Sequence, residues 1–177
     1  MSDITKPTIF VTRRWPAEAE AEMSKYFTPT FNSEDVPLTT QQIADGFAGH
    51  DALAPTVSDS ITAEIIKAGA AGKGKFVANY GVGVNHIDIE ACKVASIPVS
   101  NTPGVLTDAT ADITMTLMLM LARRAGEGER ELRGGDWAGW RPTHLMGRQL
   151  SGKTLGIIGM GRIGKAVARR CALGFGM

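Results

Sequence analysis

The sequence has few cysteines, no excess of charge and no long apolar run, and each shortage excludes a class of protein. Its two cysteines, Cys92 and Cys171, lie far apart in 177 residues and form no CxxC motif or Cys/His cluster. We therefore expect buried reduced thiols rather than a disulfide framework or a metal site. The net charge of +1 provides no basic field for nucleic acid or an anionic membrane surface.

Membrane and export signals are also missing from the pattern. The most apolar run, Ile113–Ala122 (ITMTLMLMLA), is shorter than the about 20 residues that a bilayer-spanning helix requires. Because this run is apolar all round, it predicts a helix that is buried on most sides. The N-terminal stretch MSDITKPTIFV has no basic segment followed by an apolar one, so we expect no signal peptide and a cytoplasmic protein.

Short apolar runs alternate with helical patterns over the first hundred residues. Strands are predicted at Thr8–Val11, Asp51–Pro55, Lys75–Tyr80 and Ile97–Asn101, and helices over the stretches AEAEAEMSKYF, TAEIIKAGA and IDIEACKVA. Apolar strands separated by helices predict an α/β fold with a parallel sheet covered on both faces. We assign residues 1–101 to one flavodoxin-like, doubly wound domain.

The remainder, residues 102–177, has a different character. Thr107 or Asp108 is predicted to cap a long helix that runs to about Arg124. The glycine-rich, charged stretch that follows, up to Gly152, predicts an extended arm. The apolar segment Leu155–Gly159 is predicted to be a strand that leads into a second glycine-rich turn.

That turn, Gly159-Met160-Gly161-Arg162-Ile163-Gly164, has the pattern G-x-G-x-x-G. Its glycines would permit a tight turn, allow a pyrophosphate close to the backbone, and pack a helix against the strand. Ile163, Ala166, Val167 and Cys171 are predicted to form the inward face of that helix. The N–H groups at the start of the helix would face a phosphate, so the motif predicts the beginning of a Rossmann domain. The alternative is an ordinary strand-to-helix turn without a ligand.

A second glycine pair occurs in NYGVGVNHID, Asn79–Asp88, directly after a predicted strand. Ligands bind open α/β sheets at the carboxyl ends of their strands. We expect Gly81 and Gly83 to relax the backbone so that successive N–H groups face one anion, such as a small carboxylate. A plain turn is again the alternative.

These motifs carry a resemblance to a known family. The segment from Ala78 to Arg124, together with LSGKTLGIIGMGRIGKAVARR, resembles the D-isomer-specific 2-hydroxyacid dehydrogenases, and the likeness covers essentially the whole chain. Within that family, GGDWAGWRPTHLMGRQLSGKT is similar to the glyoxylate/hydroxypyruvate reductase branch. The resemblance implies a substrate domain and a coenzyme domain that flank a cleft, NAD or NADP as the cofactor, and a homodimer formed through residues 108–150.

The resemblance also implies roles for individual residues. Val82 and Gly83 match the backbone pair that holds the substrate carboxylate. Gly161, Arg162 and Ile163 match the segment that lies against the cofactor pyrophosphate, and Thr107 matches a contact to the nicotinamide end. Trp140 matches a tryptophan that reaches into the neighbouring subunit's active site, whereas Trp137 is expected to serve simple core or interface packing.

The family's catalytic arginine, glutamate and histidine lie downstream of the glycine turn and match nothing in these 177 residues. His86 is expected to have a surface or helix-capping role, and His50 and His144 are expected to be solvated. We therefore expect hydride transfer to a 2-keto acid in a full-length relative, but no turnover by this chain alone. The segment at Leu155–Gly159 is expected to be poorly ordered alone or to borrow packing from a partner chain, because a lone strand lacks sheet neighbours.

Two other functions remain open at this point. One is a non-enzymatic, cofactor-sensing or binding protein on the same fold. The other is a stand-alone flavodoxin-like binding domain whose C-terminal tail serves only dimerisation. The acidic residue that distinguishes NAD from NADP would lie about 20 residues beyond Gly159, just past Met177, so the cofactor preference stays open.

Overall fold

The computed structural model of the protein describes residues 5–177. Residues 1–4, which begin the stretch used to argue against a signal peptide, lie outside the described residues. The chain divides into two compact units, Met1–Pro103 and Gly104–Met177, here called unit 1 and unit 2. No helix within residues 5–177 is both long and apolar enough to cross a membrane.

Unit 1 contains five strands and four helices. In chain order they are β1 (Thr8–Val11), α1 (Ala17–Tyr26), β2 (Thr28–Phe31), α2 (Thr40–Gly49), β3 (Ala52–Ala54), α3 (Ala63–Ala71), β4 (Phe76–Ala78), α4 (Ile89–Val94) and β5 (Val99–Ser100). All strand pairs are parallel, in the order β2-β1-β3-β4-β5. This is the flavodoxin-like order, so the predicted fold class is confirmed.

The two faces of the sheet bury separate apolar clusters, because alternate residues of a strand point to opposite sides. Ile9 and Val11 of β1 pack with Ala52 and Ala54 of β3 on one face. The opposite face holds a larger cluster, in which the strands contribute Leu53 and Val77; its helix and loop members are Ile43, Ala44, Phe47, Ile61, Ile65, Ile66, Ile87, Cys92 and Ile97. Apolar cores on both faces are what a doubly wound sheet requires.

The sequence pattern missed β2 and α2. The strand β2 contains Pro29, whose missing N–H is tolerated there because β2 forms an edge of the sheet. The helix α2 begins with a capping box, in which Thr39 and Gln42 each bond the other's backbone. The spacing T-x-x-Q is a sequence signature of a helix start, so α2 could have been found from the sequence.

Unit 2 contains three helices and no strand among its residues: α5 (Thr107–Ala122), α6 (Ala125–Gly134) and α7 (Arg162–Phe175). Its small core joins Ala111 and Met115 of α5 to Val167 and Cys171 of α7. The helix α5 ends two residues before the predicted Arg124. Its N-cap is Leu106 rather than Thr107 or Asp108.

Three further predictions for unit 2 are wrong. Leu155–Gly159 is not a strand, because no other segment of residues 5–177 pairs with it. The apolar run of α5 is buried on one side only, since just Ala111 and Met115 are buried and Ile113, Leu117, Met120 and Leu121 are exposed. The predicted extended arm starts with ten residues of helix, α6, and only the part beyond Gly134 lacks regular structure.

Candidate functional site: two glycine turns

The first glycine turn follows β4 at the carboxyl end of the sheet. Asn79 is 2% exposed, and its N–H donates to the Ser100 carbonyl at 3.1 Å. The N–H of Thr102 donates to the Gly81 carbonyl at 3.0 Å. These bonds hold the turn against the chain that leaves β5, so the backbone of residues 79–83 starts from a fixed position.

Three successive carbonyl groups of this turn accept hydrogen bonds from asparagine side chains. Asn79 Nδ2 donates to Gly81 O at 3.1 Å and to Gly83 O at 2.9 Å, and Asn101 Nδ2 donates to Val82 O at 2.8 Å. The N–H groups of Val82 and Gly83 have no acceptor among the described residues. With their carbonyls tied down and Gly83 exposed, these two donors are available to an anion.

The glycines of this turn work differently from the prediction. Neither Gly81 nor Gly83 has a positive φ, so neither is required for left-handed backbone. A Cβ on Gly81 would lie 2.6 Å from Val57 Cγ1, whereas a Cβ on Gly83 would meet nothing within 4 Å. Gly81 is therefore needed for close packing, and Gly83 leaves open space beside the free N–H groups.

The role predicted for His86, surface or helix capping, is wrong. His86 is half-buried and its Nε2 lies 2.9 Å from Asn79 Oδ1, while Asp88 caps α4 through the Ala91 N–H. Partial burial, opposed by the negative charge of Asp59, holds the pKa of the His86 imidazole below its ordinary value. The ring is therefore expected to be neutral at pH 7 and to act as a hydrogen-bonding group.

The other two histidines are also half-buried rather than solvated. His50 Nδ1 lies 2.7 Å from Gly46 O, and its Nε2 lies 2.8 Å from Thr30 Oγ1. His144 Nε2 lies 2.8 Å from Glu131 Oε2. Each ring therefore makes local contacts on its own surface, away from the turn at residues 79–86.

The second glycine turn leads into α7. Gly159 has a φ of 92°, a left-handed conformation that favours glycine, and Gly161 is the N-cap of α7. A Cβ on Gly164 would lie 2.2 Å from the Gly159 carbonyl oxygen, whereas a Cβ on Gly161 would meet nothing within 4 Å. The three glycines thus supply a tight turn, an open approach and a close packing contact.

The helix α7 provides the donors of this second turn. Arg162, Ile163 and Gly164 begin the helix, so their N–H groups have no carbonyl one turn earlier in the helix to bond. Such N–H groups and the positive end of the helix dipole suit a phosphate. Val167 and Cys171 are buried as predicted and Ala166 is partly buried, but Ile163 is 41% exposed and does not belong to the inward face.

The remaining predicted residues lie in unit 2 and are more open. Thr107 is the first residue of α5 and is partly buried. Trp140 is 83% exposed and Trp137 is 53% exposed, so neither serves core packing in the single chain. Sequence reasoning did not identify Asn79 and Asn101 as the side chains that hold the first turn, although an asparagine directly before G-x-G was visible.

A separate depression of about 970 Å³ lies elsewhere in unit 2. It is lined by Met118, Leu121 and Arg124 near the end of α5 and by Met146, Arg148 and Lys153. None of these residues belongs to either glycine turn. Among residues 5–177 no group of three or more His, Cys, Asp or Glu side chains could hold a metal ion.

The fold and the two turns define a class of protein. A parallel sheet in the order 2-1-3-4-5, with an anion-binding turn after one strand and a G-x-G-x-x-G helix start, is typical of α/β proteins that bind small acids and dinucleotides. Residues 9–172 match the profile of the D-isomer specific 2-hydroxyacid dehydrogenase, catalytic domain. The chain belongs to this family.

Individual relatives support the same assignment. The chain is 42% identical to a glyoxylate reductase of Korarchaeum cryptofilum, over 97% of this chain and 51% of the relative. It is 38% identical to a glycerate dehydrogenase of Hyphomicrobium methylovorum, over 98% and 53%. The solved structure of an NAD-binding D-isomer specific 2-hydroxyacid dehydrogenase from Polaromonas sp. JS6 66 superposes with a TM-score of 0.90 at 43% identity, over 97% of this chain and 53% of that one. The chain thus spans about half the length of these relatives.

Proposed function

We propose that this chain carries the substrate-carboxylate site and the first phosphate turn of a D-2-hydroxyacid dehydrogenase that reduces glyoxylate or hydroxypyruvate with NADH or NADPH. One observation carries the proposal. The carbonyls of Gly81, Val82 and Gly83 are held by asparagine side chains, while the N–H groups of Val82 and Gly83 stay free. Two adjacent free N–H groups at the carboxyl end of a parallel strand suit one carboxylate.

The relatives support the choice of substrate. Those described above are a glyoxylate reductase and a glycerate dehydrogenase, which act on small 2-keto or 2-hydroxy acids. A small acid of this kind has its carboxylate next to the carbon that changes oxidation state. Backbone donors that fix the carboxylate therefore also orient the reacting carbon, and orientation of this kind lowers the barrier to reaction.

The second turn fits a nicotinamide dinucleotide. Gly159, Gly161 and Gly164 provide the turn, the open approach and the close packing, and Arg162 and Ile163 supply backbone donors at the start of α7. When bound, the nicotinamide supplies the hydride that reduces a 2-keto acid. We assign Gly159, Gly161, Arg162, Ile163 and Gly164 to the pyrophosphate contact and Thr107 to the nicotinamide end.

Two further parts of the proposal concern assembly and location. Exposed Trp140 and the exposed side of α5 support a homodimer formed through residues 108–150, in which Trp140 reaches a neighbouring subunit's site. The free, buried thiols of Cys92 and Cys171 support a reducing compartment, the cytoplasm.

Amide NMR of the 177-residue chain tests the carboxylate site. We expect titration with glycolate to shift the Val82 and Gly83 N–H signals, and glycolamide, which lacks the carboxylate, to leave them unchanged. Absence of a glycolate-dependent shift at both residues would contradict the proposed site.

A kinetic measurement tests the division of labour. We expect the purified 177 residues to show no glyoxylate-dependent oxidation of NADH or NADPH, because none of His50, His86 and His144 matches the family's proton donor. Measurable turnover by these residues alone would show that the chemistry needs no further residues.

A further inference from the structure

The hydrogen bonds of Asn79 form a closed set around one buried side chain. Its Nδ2 donates to the carbonyls of Gly81 and Gly83, and its Oδ1 lies 2.9 Å from His86 Nε2. The Asn79 carbonyl also accepts from the Gly81 N–H at 3.0 Å. Both amide hydrogens and the amide oxygen are therefore used, and all of the partners belong to the turn at residues 79–86.

These contacts determine the orientation of the amide and the tautomer of the histidine. Only an NH₂ group can face two carbonyl oxygens, so Nδ2 must point to Gly81 and Gly83 and Oδ1 must point to His86. An amide oxygen only accepts hydrogen bonds, so His86 Nε2 must carry a hydrogen and donate it. If the ring takes up a second proton, it does so at Nδ1, and the bond to Asn79 persists.

The charged surroundings of this pair are limited. Asp59 is the charged group whose field reaches His86, and it is itself bonded to Thr12 Oγ1 at 2.5 Å and to the Thr56 N–H at 2.8 Å. Asp59 is 7% exposed, so the Thr12 and Thr56 bonds hold it in place. The ring of His86 is thus left to hydrogen-bond the amide.

We propose that Asn79 and His86 are positioning residues of the carboxylate site: His86 fixes the amide of Asn79, and Asn79 fixes the carbonyls of Gly81 and Gly83 so that the Val82 and Gly83 N–H groups converge. This inference rests on the proposed carboxylate site and names the side chains that hold it. Neither residue is expected to touch the substrate.

Three variants separate positioning from mere packing. His86→Leu removes the donor to Asn79, whereas His86→Gln keeps an N–H that can reach the same amide oxygen. Asn79→Asp keeps the shape of the side chain but removes both donors to the turn carbonyls. Asn85→Ala changes an exposed neighbour whose side chain makes no hydrogen bond within residues 5–177, so it serves as the matched control.

The readout is the dissociation constant for glycolate, measured from the Val82 and Gly83 amide shifts of the 177-residue chain. We expect it to rise about tenfold in His86→Leu and in Asn79→Asp, and to stay within about twofold in His86→Gln and Asn85→Ala. The wild-type imidazole provides a second measurement that needs no variant to fold: its ¹⁵N signals should show the Nε2–H tautomer.

The outcomes distinguish this inference from the proposed function. If the wild type binds glycolate but His86→Leu and Asn79→Asp bind it equally well, the positioning role is wrong and the carboxylate site stands. An Nδ1–H tautomer of His86 in the wild type would also overturn the role. If glycolate shifts neither amide in the wild type, both the carboxylate site and the inference fail.

Discussion

His86 shows how one residue couples the turn to pH. Its imidazole is half-buried and donates to an amide oxygen, an arrangement that protonation at Nδ1 leaves intact. Burial nevertheless penalises the charged ring and lowers its pKa in the folded state. The unfolded chain, with a histidine pKa of about 6.5, therefore takes up this proton more readily than the folded one does.

This difference predicts the pH dependence of stability. Because the folded pKa is the lower one, the contribution of His86 to the free energy of unfolding is fully present above about pH 6.5. It decreases as the pH falls below that value, until the folded ring is protonated too. Urea unfolding at several pH values should show this decrease in the wild type and a smaller one in His86→Gln. A His86 that titrates at or above pH 6.5 by NMR would contradict the prediction.

Asn79 and Asn101 mark what could be read at the residue scale. The sequence predicts where the turn lies and that Val82 and Gly83 belong to it, because G-x-G after a buried strand has a local physical meaning. The side chains that hold the turn could not be identified in the same way. Asn101 comes from the chain after β5, and its contact with Val82 O depends on how two strands pair.

At the scale of elements, the turn into α7 depends on two glycines for different reasons. A Cβ on Gly164 would collide with the Gly159 carbonyl, a backbone atom that cannot rotate away, whereas a Cβ on Gly161 would enter open space. Gly164 therefore sets how closely α7 packs on the preceding segment. Gly161 leaves the helix start accessible.

We expect Gly164→Ala to lower the free energy of unfolding by about 1–3 kcal/mol. Gly161→Ala should change it by less than about 0.5 kcal/mol, because the added methyl group touches nothing and φ is −75°. Denaturant unfolding of both variants checks this. If the dinucleotide site is as proposed, Gly161→Ala should weaken NADH binding in a fluorescence titration even though it folds normally; equal losses of stability in both variants would contradict the packing argument.

The elements that the sequence failed to predict share a physical cause. The strand predicted at Leu155–Gly159 is apolar, but a strand exists only when a neighbour supplies hydrogen bonds, and none does within residues 5–177. The helix α5 was expected to be buried all round because its composition is apolar, yet its surroundings in unit 2 cover one side only. Local pattern therefore predicted the type of α5 correctly but not its burial.

At the scale of the whole molecule, the two units differ in how well their backbones are bonded. The amide of Val77 donates to the Pro98 carbonyl inside a five-stranded sheet, and Leu53 lies in the β1–β3–β4 ladder. The N–H groups of Ile157 and Ile158 have no acceptor among the described residues. Protection from solvent exchange should follow this difference.

Hydrogen exchange followed by NMR tests this contrast in dilute, monomeric protein. We expect slow exchange at Leu53 and Val77, close to the rate set by global unfolding of unit 1, and fast exchange at Ile157 and Ile158. Strong protection of Ile157 and Ile158 in a verified monomer would contradict the expectation that this segment lacks sheet neighbours.

Unit 2 also presents an apolar stripe, defined here as Ile113, Leu117 and Leu121 of α5. The three residues are spaced four apart, so they lie along one face of the helix, and they are 53%, 60% and 84% exposed. The opposite side of α5 packs on α7 through Ala111 and Met115. Contiguous exposed apolar surface of this kind is typical of a protein interface.

We therefore predict that the apolar stripe contributes to the proposed homodimer. Leu117→Lys places a charge in the middle of the stripe and should weaken self-association by about 2 kcal/mol or more, as measured by sedimentation over a range of concentrations. Val94→Lys adds the same charge at a residue of α4 in unit 1 that is 89% exposed and should leave the association constant unchanged. Equal effects of the two lysines would point to net charge rather than to the stripe, and a wild-type chain that stays monomeric at every concentration would contradict the dimer itself. Since the stripe and the cofactor turn occupy different parts of unit 2, Leu117→Lys should also leave the affinity for NADH intact, which separates an assembly defect from a folding defect.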